Sequence, residues 1–184
     1  MTTTTIVLII VAIVVVAVVA MYLLRLERSK KLRSRFGPEY DHAVHEFGNP
    51  SRAEDALMAR QRRLEKIQIR PLTNEERDRL AAQWHNVQAR FVDDPAASIQ
   101  DADRLVIDAM SGRGYPMTEF ESRAEDLSVD HPHVVRNYRA AHAIALRRDK
   151  GEASTEDLRQ ALVYYRDLFN ELLEAHATTG PRRA

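Results

Sequence analysis

The chain has 184 residues, no cysteine, and 27 basic against 27 acidic side chains. Without cysteine there are no disulfides, no thiol nucleophile and no thiolate metal site. The charge balance is uneven along the chain: six basic residues lie within positions 25–35, and 21 basic against 26 acidic residues follow position 36. A mildly acidic domain lacks the basic face that a nucleic-acid partner requires.

The first element is an apolar run. Ile6 to Leu24 are nineteen consecutive uncharged positions, fourteen of them Ile, Val or Leu. As a helix the run spans roughly 28 Å, close to a hydrocarbon core of about 30 Å. Its insertion free energy sums to something on the order of −5 kcal/mol. Residues 1–24 are therefore expected to form a transmembrane anchor, helical because a lone span must satisfy its own backbone. A cleavable signal peptide is the competing reading. It asks for a basic leader and a shorter core, and no Lys or Arg precedes the run, although Val18-Val19-Ala20 would suit a peptidase.

Residues 25–36 form a basic juxtamembrane segment. Arg25, Arg28, Lys30, Lys31, Arg33 and Arg35 are opposed there only by Glu27. By the positive-inside rule they place the N-terminus outside and the rest of the chain in the cytoplasm. The same residues are candidates for contact with anionic lipid headgroups, each contributing about 1 kcal/mol near a charged surface.

Residues 37–175 read as an all-α soluble domain of about seven helices, with Gly and Pro falling between the periodic segments. The first runs from Gly37-Pro38 to Phe47. The second is expected from Ser51 to about Ile67, with Ser51 and Glu54 at capping-box spacing. Thr73 and Glu76 repeat that spacing before a third helix whose stripe is Leu80, Trp84, Val87 and Phe91. Asp94 caps a fourth, with Pro95 at its first position and Ile99, Ala102, Val106 and Met110 inward. GRGYP turns the chain, and Thr118 with Glu121 is expected to start a fifth helix ending near Leu127. A sixth runs from His131-Pro132 to Lys150 with Val134, Tyr138, Ala141 and Ala145 buried. Ser154 and Asp157 open the seventh, which carries Leu158, Leu162, Tyr165, Phe169 and Leu172, with Ala161 and Leu168 widening its stripe. Its seam is too short to assert a coiled coil, so packing against the Trp84 helix is expected. Residues 176–184 read as a disordered tail.

Candidate chemistry is sparse. Neither a glycine-rich phosphate loop nor GXSXG occurs, so no cofactor and no enzymatic activity are expected. His42 and His45 lie one turn apart, and His131 and His133 two residues apart at a helix start. If the two pairs met they would offer a metal or pH-sensing site, the alternative to a surface role with His131 as a cap. A hydrolase with a non-local site ranks third. Arg63, Lys66 and Arg70 would share one side of a continued helix and present a face to an acidic protein partner, or form an ordinary solvated surface.

The phrases RFGPEYDHAV, IRPLTNEERDRLAAQW, QARFVDDPAASIQDADRLV, RGYP, DLSVDHPHVVRNYRAAH and GEASTEDLRQALVYYRDLF cover almost the whole chain. Together they resemble a family of small bacterial proteins, each with one N-terminal membrane span and a soluble helical domain. The resemblance implies a bacterial membrane-anchored protein and assigns no activity, ligand or catalytic residue. The resulting expectation is a single-pass protein of the bacterial plasma membrane, carrying a non-catalytic interaction module on the cytoplasmic face.

Overall fold

The computed structural model describes the backbone of residues 3–174 and side chains of residues 9–174. The expected tail, 176–184, lies outside the described residues. Among the described residues eight helices follow one another: α1 (Thr3–Phe36), α2 (Pro38–Phe47), α3 (Pro50–Leu64), α4 (Asn74–Arg90), α5 (Pro95–Arg113), α6 (Phe120–Asp130), α7 (Pro132–Asp149) and α8 (Thr155–Glu174). There is no strand among the described residues, and IRPL is an irregular link tied by the Arg70 amide to the Arg113 carbonyl at 2.9 Å.

The helices fall into two packed groups. α4, α5, α7 and α8 form one, while α1, α2, α3 and α6 form the other, and α7 belongs to both because it also packs on α2 and α6. The apolar stripes meet in one core, with Ile99, Ala102, Val106, Met110, Tyr138, Ala141, Tyr165, Leu168 and Leu172 fully buried. Trp84 stacks on Phe169 with ring centroids 4.7 Å apart. The last helix thus packs within the chain, as expected, although α7 and α5 are its main neighbours, with Trp84 stacking on it from α4.

Most starts follow the expected capping chemistry. Thr73 and Glu76 make both reciprocal bonds of a capping box, as do Ser154 and Asp157, and the Asp94 side chain accepts from the Ala97 amide. Two starts differ. α3 begins one residue early because Asn49 caps it by accepting from the Ser51 amide, and Pro50 fits the first turn, where no amide hydrogen is needed. Ser51 and Glu54 therefore form no box, and Glu54 is buried instead. α6 begins at Phe120, after Glu119, with no side-chain cap, and continues past Leu127 to Asp130. Phe120 sets that start by stacking on His142 at 3.6 Å, a tertiary contact that overrides the Thr118–Glu121 signal. Asn49→Ala is expected to cost about 1 kcal/mol, and Ser51→Ala to stay within about 0.5 kcal/mol. Urea unfolding of the two variants separates the caps.

Gly114 shows why GRGYP turns. Its φ is +93°, and a Cβ there would stand 2.7 Å from the Gln68 carbonyl oxygen.

Candidate functional site

α1 is long and apolar enough to cross a membrane, with an 18-residue window of mean hydropathy 2.9 and none of that window buried in the protein. The helix does not stop at the end of this run. It continues through the basic segment to Phe36, and its last turns are part of the domain: Leu32 is 6% exposed and Phe36 fully buried. The expected juxtamembrane tether is thus a packed helix.

The polar side of this seam converges on Glu54. Its carboxylate accepts from the Ser29 hydroxyl at 2.5 Å and the Tyr40 hydroxyl at 3.0 Å, and the Arg28 Nε lies 3.7 Å away. Arg28 also donates to Asp55 at 2.6 Å. Burial, reinforced by the neighbouring Glu54 carboxylate, raises the Tyr40 phenol above its ordinary value, so it stays a donor. One buried carboxylate therefore joins α1, α2 and α3. Of the six juxtamembrane basic residues, Arg28 is committed inward, Arg33 lies over the Tyr40 ring and 3.7 Å from Asp41, and Arg25, Lys30, Lys31 and Arg35 are exposed without an ion pair among the described residues.

A second cluster lies where α2, α3, α6 and α7 meet. Glu39, 2% exposed, accepts from Arg60 at 3.1 Å and takes both ends of Arg139 at 2.6 and 3.0 Å. Arg60 also reaches Glu125 at 3.0 Å, and Arg63 binds Glu125 and Asp126. Burial pushes the Asp126 carboxyl above its usual range, against the pull of Arg63. The three residues of the expected acidic-partner face do not share one side of a helix. α3 ends at Leu64, so Lys66 and Arg70 are not on its surface, Arg63 is paired within the chain, and Arg70 is held by both oxygens of Glu76 at 2.7 and 2.8 Å. Only Lys66 remains exposed with no ion pair among the described residues.

The histidines do not form one set. His42, His45 and His133 are exposed, whereas His131 is 6% exposed and makes no capping bond. Its Nε2 faces Arg113 Nη1 at 3.3 Å, and Nδ1 faces Glu171 at 3.1 Å. An arginine can only donate, so Nε2 accepts and Nδ1–H donates to the carboxylate. Burial lowers His131 below its ordinary value despite Glu171, with Arg113 acting in the same direction as burial, so the ring is neutral near pH 7. Both nitrogens are engaged, which removes His131 from the candidate metal set. No group of three or more possible ligands gathers among the described residues.

Arg113 itself is fully buried. It lies at the C-terminal end of α5, beside His131 at the end of α6, and donates to the Leu172 carbonyl of α8 at 3.4 Å, so one guanidinium links α5, the α6–α7 corner and α8. Sequence reading missed Glu39, Arg60 and Arg113 as buried charges. The signal was phase: Arg60 continues the stripe Ala53, Leu57, Leu64, and Arg113 continues Val106, Met110.

Two surface clefts accompany these clusters. One, about 290 Å³, is between α4 and α5, lined by Gln83, Asn86, Arg90, Asp101, Arg104 and Asp108 with Val87 and Leu105. The other, about 300 Å³, lies at the root of α1, between Leu24, Glu27, Arg28, Lys31 and Leu32 on one side and Met58 and Gln61 of α3 on the other. Comparison with protein-family models, curated proteins and solved structures finds no match to the chain.

Proposed function

We propose that the protein is a non-catalytic interaction module held rigidly at the inner face of a bacterial plasma membrane, with its N-terminus outside and residues 25–184 in the cytoplasm. The observation that carries this reading is the unbroken course of α1 from an apolar run into the domain core, where Leu32 and Phe36 are buried and Arg28 and Ser29 are held by Asp55 and Glu54. Such a tether fixes the height and the facing of the domain, and confinement to a thin layer raises its effective concentration toward membrane partners, so that weak contacts suffice. The exposed Arg25, Lys30, Arg33 and Arg35 support the orientation and suit an anionic leaflet. Neither of these two clefts is lined by a histidine, and His131 is spent on internal bonds, which favours binding over catalysis.

A protease-sensitive tag at the C-terminus tests the placement. It should survive protease added to intact cells and be digested once the membrane is permeabilised. Digestion in intact cells overturns the orientation. Crosslinking in native membranes tests the role, with discrete heteromeric adducts expected. Adducts that are unchanged when the domain is released from α1 would show that the membrane contributes nothing to recognition.

A further inference from the structure

The cleft at the root of α1 lies at a defined depth, and that depth names its ligand. Taking Leu24 as the end of the apolar run, a helical rise of about 1.5 Å places Glu27 about 4.5 Å, Arg28 about 6 Å and Lys31 about 10 Å beyond it. The interfacial layer is roughly 5–8 Å thick on each side of the hydrocarbon. Side chains on a helix lean toward its N-terminus, so Glu27, Arg28 and Lys31 all reach back toward the bilayer. The cleft therefore opens at headgroup level.

Its charges are of both signs. Lys31 offers an ammonium that makes no ion pair among the described residues, and Glu27, one turn below, offers an equally unpaired carboxylate. Arg28 lines the same cleft but is already bound to Asp55 at 2.6 Å with Glu54 behind it. A purely anionic headgroup would bring its phosphate beside Glu27 and near two further carboxylates. A headgroup carrying a phosphate and a primary ammonium satisfies both signs. Leu24, at the membrane end of the cleft, supplies apolar contact for the glycerol and the first acyl carbons, and Met58 forms part of its wall. At about 300 Å³ the space is at the low end for ligand pockets, right for a headgroup rather than a whole lipid.

We propose that the α1–α3 cleft binds the headgroup of an aminophospholipid, with the phosphate on Lys31 and Arg28 and the ammonium on Glu27. The proposal rests on α1 being a membrane span. It makes the domain a reader of lipid identity at its own root, separate from the diffuse attraction of the exposed basic residues to an anionic surface.

The test uses the full chain reconstituted in nanodiscs of phosphatidylcholine containing equal small fractions of phosphatidylethanolamine and phosphatidylglycerol, with retained lipid counted by native mass spectrometry after detergent release. Phosphatidylethanolamine should be retained about tenfold over phosphatidylcholine, whose methylated ammonium cannot donate to Glu27, one charge-assisted hydrogen bond being worth about a factor of ten. Lys31→Gln and the cleft-filling Met58→Trp should each abolish retention, and Glu27→Gln should shift preference to phosphatidylglycerol. Lys30→Gln, which removes an exposed basic residue that does not line the cleft, should change nothing. Equal retention of the three lipids, or an effect of Lys30→Gln as large as that of Lys31→Gln, overturns the site while leaving the membrane tether intact. A chain that fails to enter the discs overturns both.

Discussion

Glu39→Ala is expected to destabilise the protein by about 3–5 kcal/mol, the cost of leaving a buried charge without its partner. Glu39 is 2% exposed and serves Arg60 and Arg139 together, and those arginine side chains are themselves 4% and 16% exposed. Its removal leaves Arg139 with only the more distant, exposed Glu121 at 3.7 Å, while Arg60 keeps Glu125. The effect therefore falls mainly on the α2–α7 contact, which is one of the joints between the two helix groups. For a chain of this size the loss corresponds to a drop in Tm of roughly 6–20 °C. Thermal unfolding of the full chain in detergent measures it. Replacing Glu39, Arg60 and Arg139 together by Leu or Met should recover much of the loss, because apolar residues of similar volume often match a buried ion network in stability. A Glu39→Ala loss below about 1 kcal/mol would mean that water enters the cluster and screens it.

Phe36→Ala is expected to cost about 3–5 kcal/mol, the usual range for deleting a buried aromatic side chain. Phe36 is fully buried and ends α1, one residue before Gly37, which at φ +49° turns the chain into α2. It thus joins the apolar run to the domain, and its loss should loosen that joint as well as lower stability. Spin labels at Lys30 and Gln88 should give a narrow distance distribution in the native chain and a broad one in the variant. Leu23→Ala, 54% exposed on the apolar run, should leave both the unfolding curve of the domain and the distance distribution unchanged. If the native distribution is already broad, the rigid tether is wrong and α1 is a flexible leash.

Glu54 explains why this joint was hard to read. In the sequence it stands three residues after Ser51, the spacing of a reciprocal cap, and a local rule assigns it to the start of α3. Asn49 and Pro50 take that role because they are better placed in the same turn, and Glu54 is freed for Ser29 and Tyr40, residues 25 and 14 positions away. Arg63 and Arg70 failed in a similar way. Their helix-surface grouping requires a helix continuing to Arg70, whereas α3 ends at Leu64, and their actual partners, Asp126 and Glu76, lie on α6 and α4. Arg60 and Arg113 were legible in part, since each holds a position in the apolar phase of its helix, but phase alone does not say which carboxylate or carbonyl waits there.

The sequence by itself determined an all-α chain with one apolar N-terminal helix, nearly every helix boundary marked by Gly, Pro or a capping residue, and the stripes that became the core. These are local properties, set by dihedral preference, missing amide hydrogens and a period of 3.6, and they act within one or two turns. Only the tertiary structure decided that the basic segment after the apolar run is a packed helix, that Glu39, Glu54, Arg60 and Arg113 are buried, and that Glu27 and Lys31 line a cleft. Each of these depends on a partner brought close by the packing of two or more helices, and the free energy of a buried charge is fixed by that partner rather than by its neighbours in the chain.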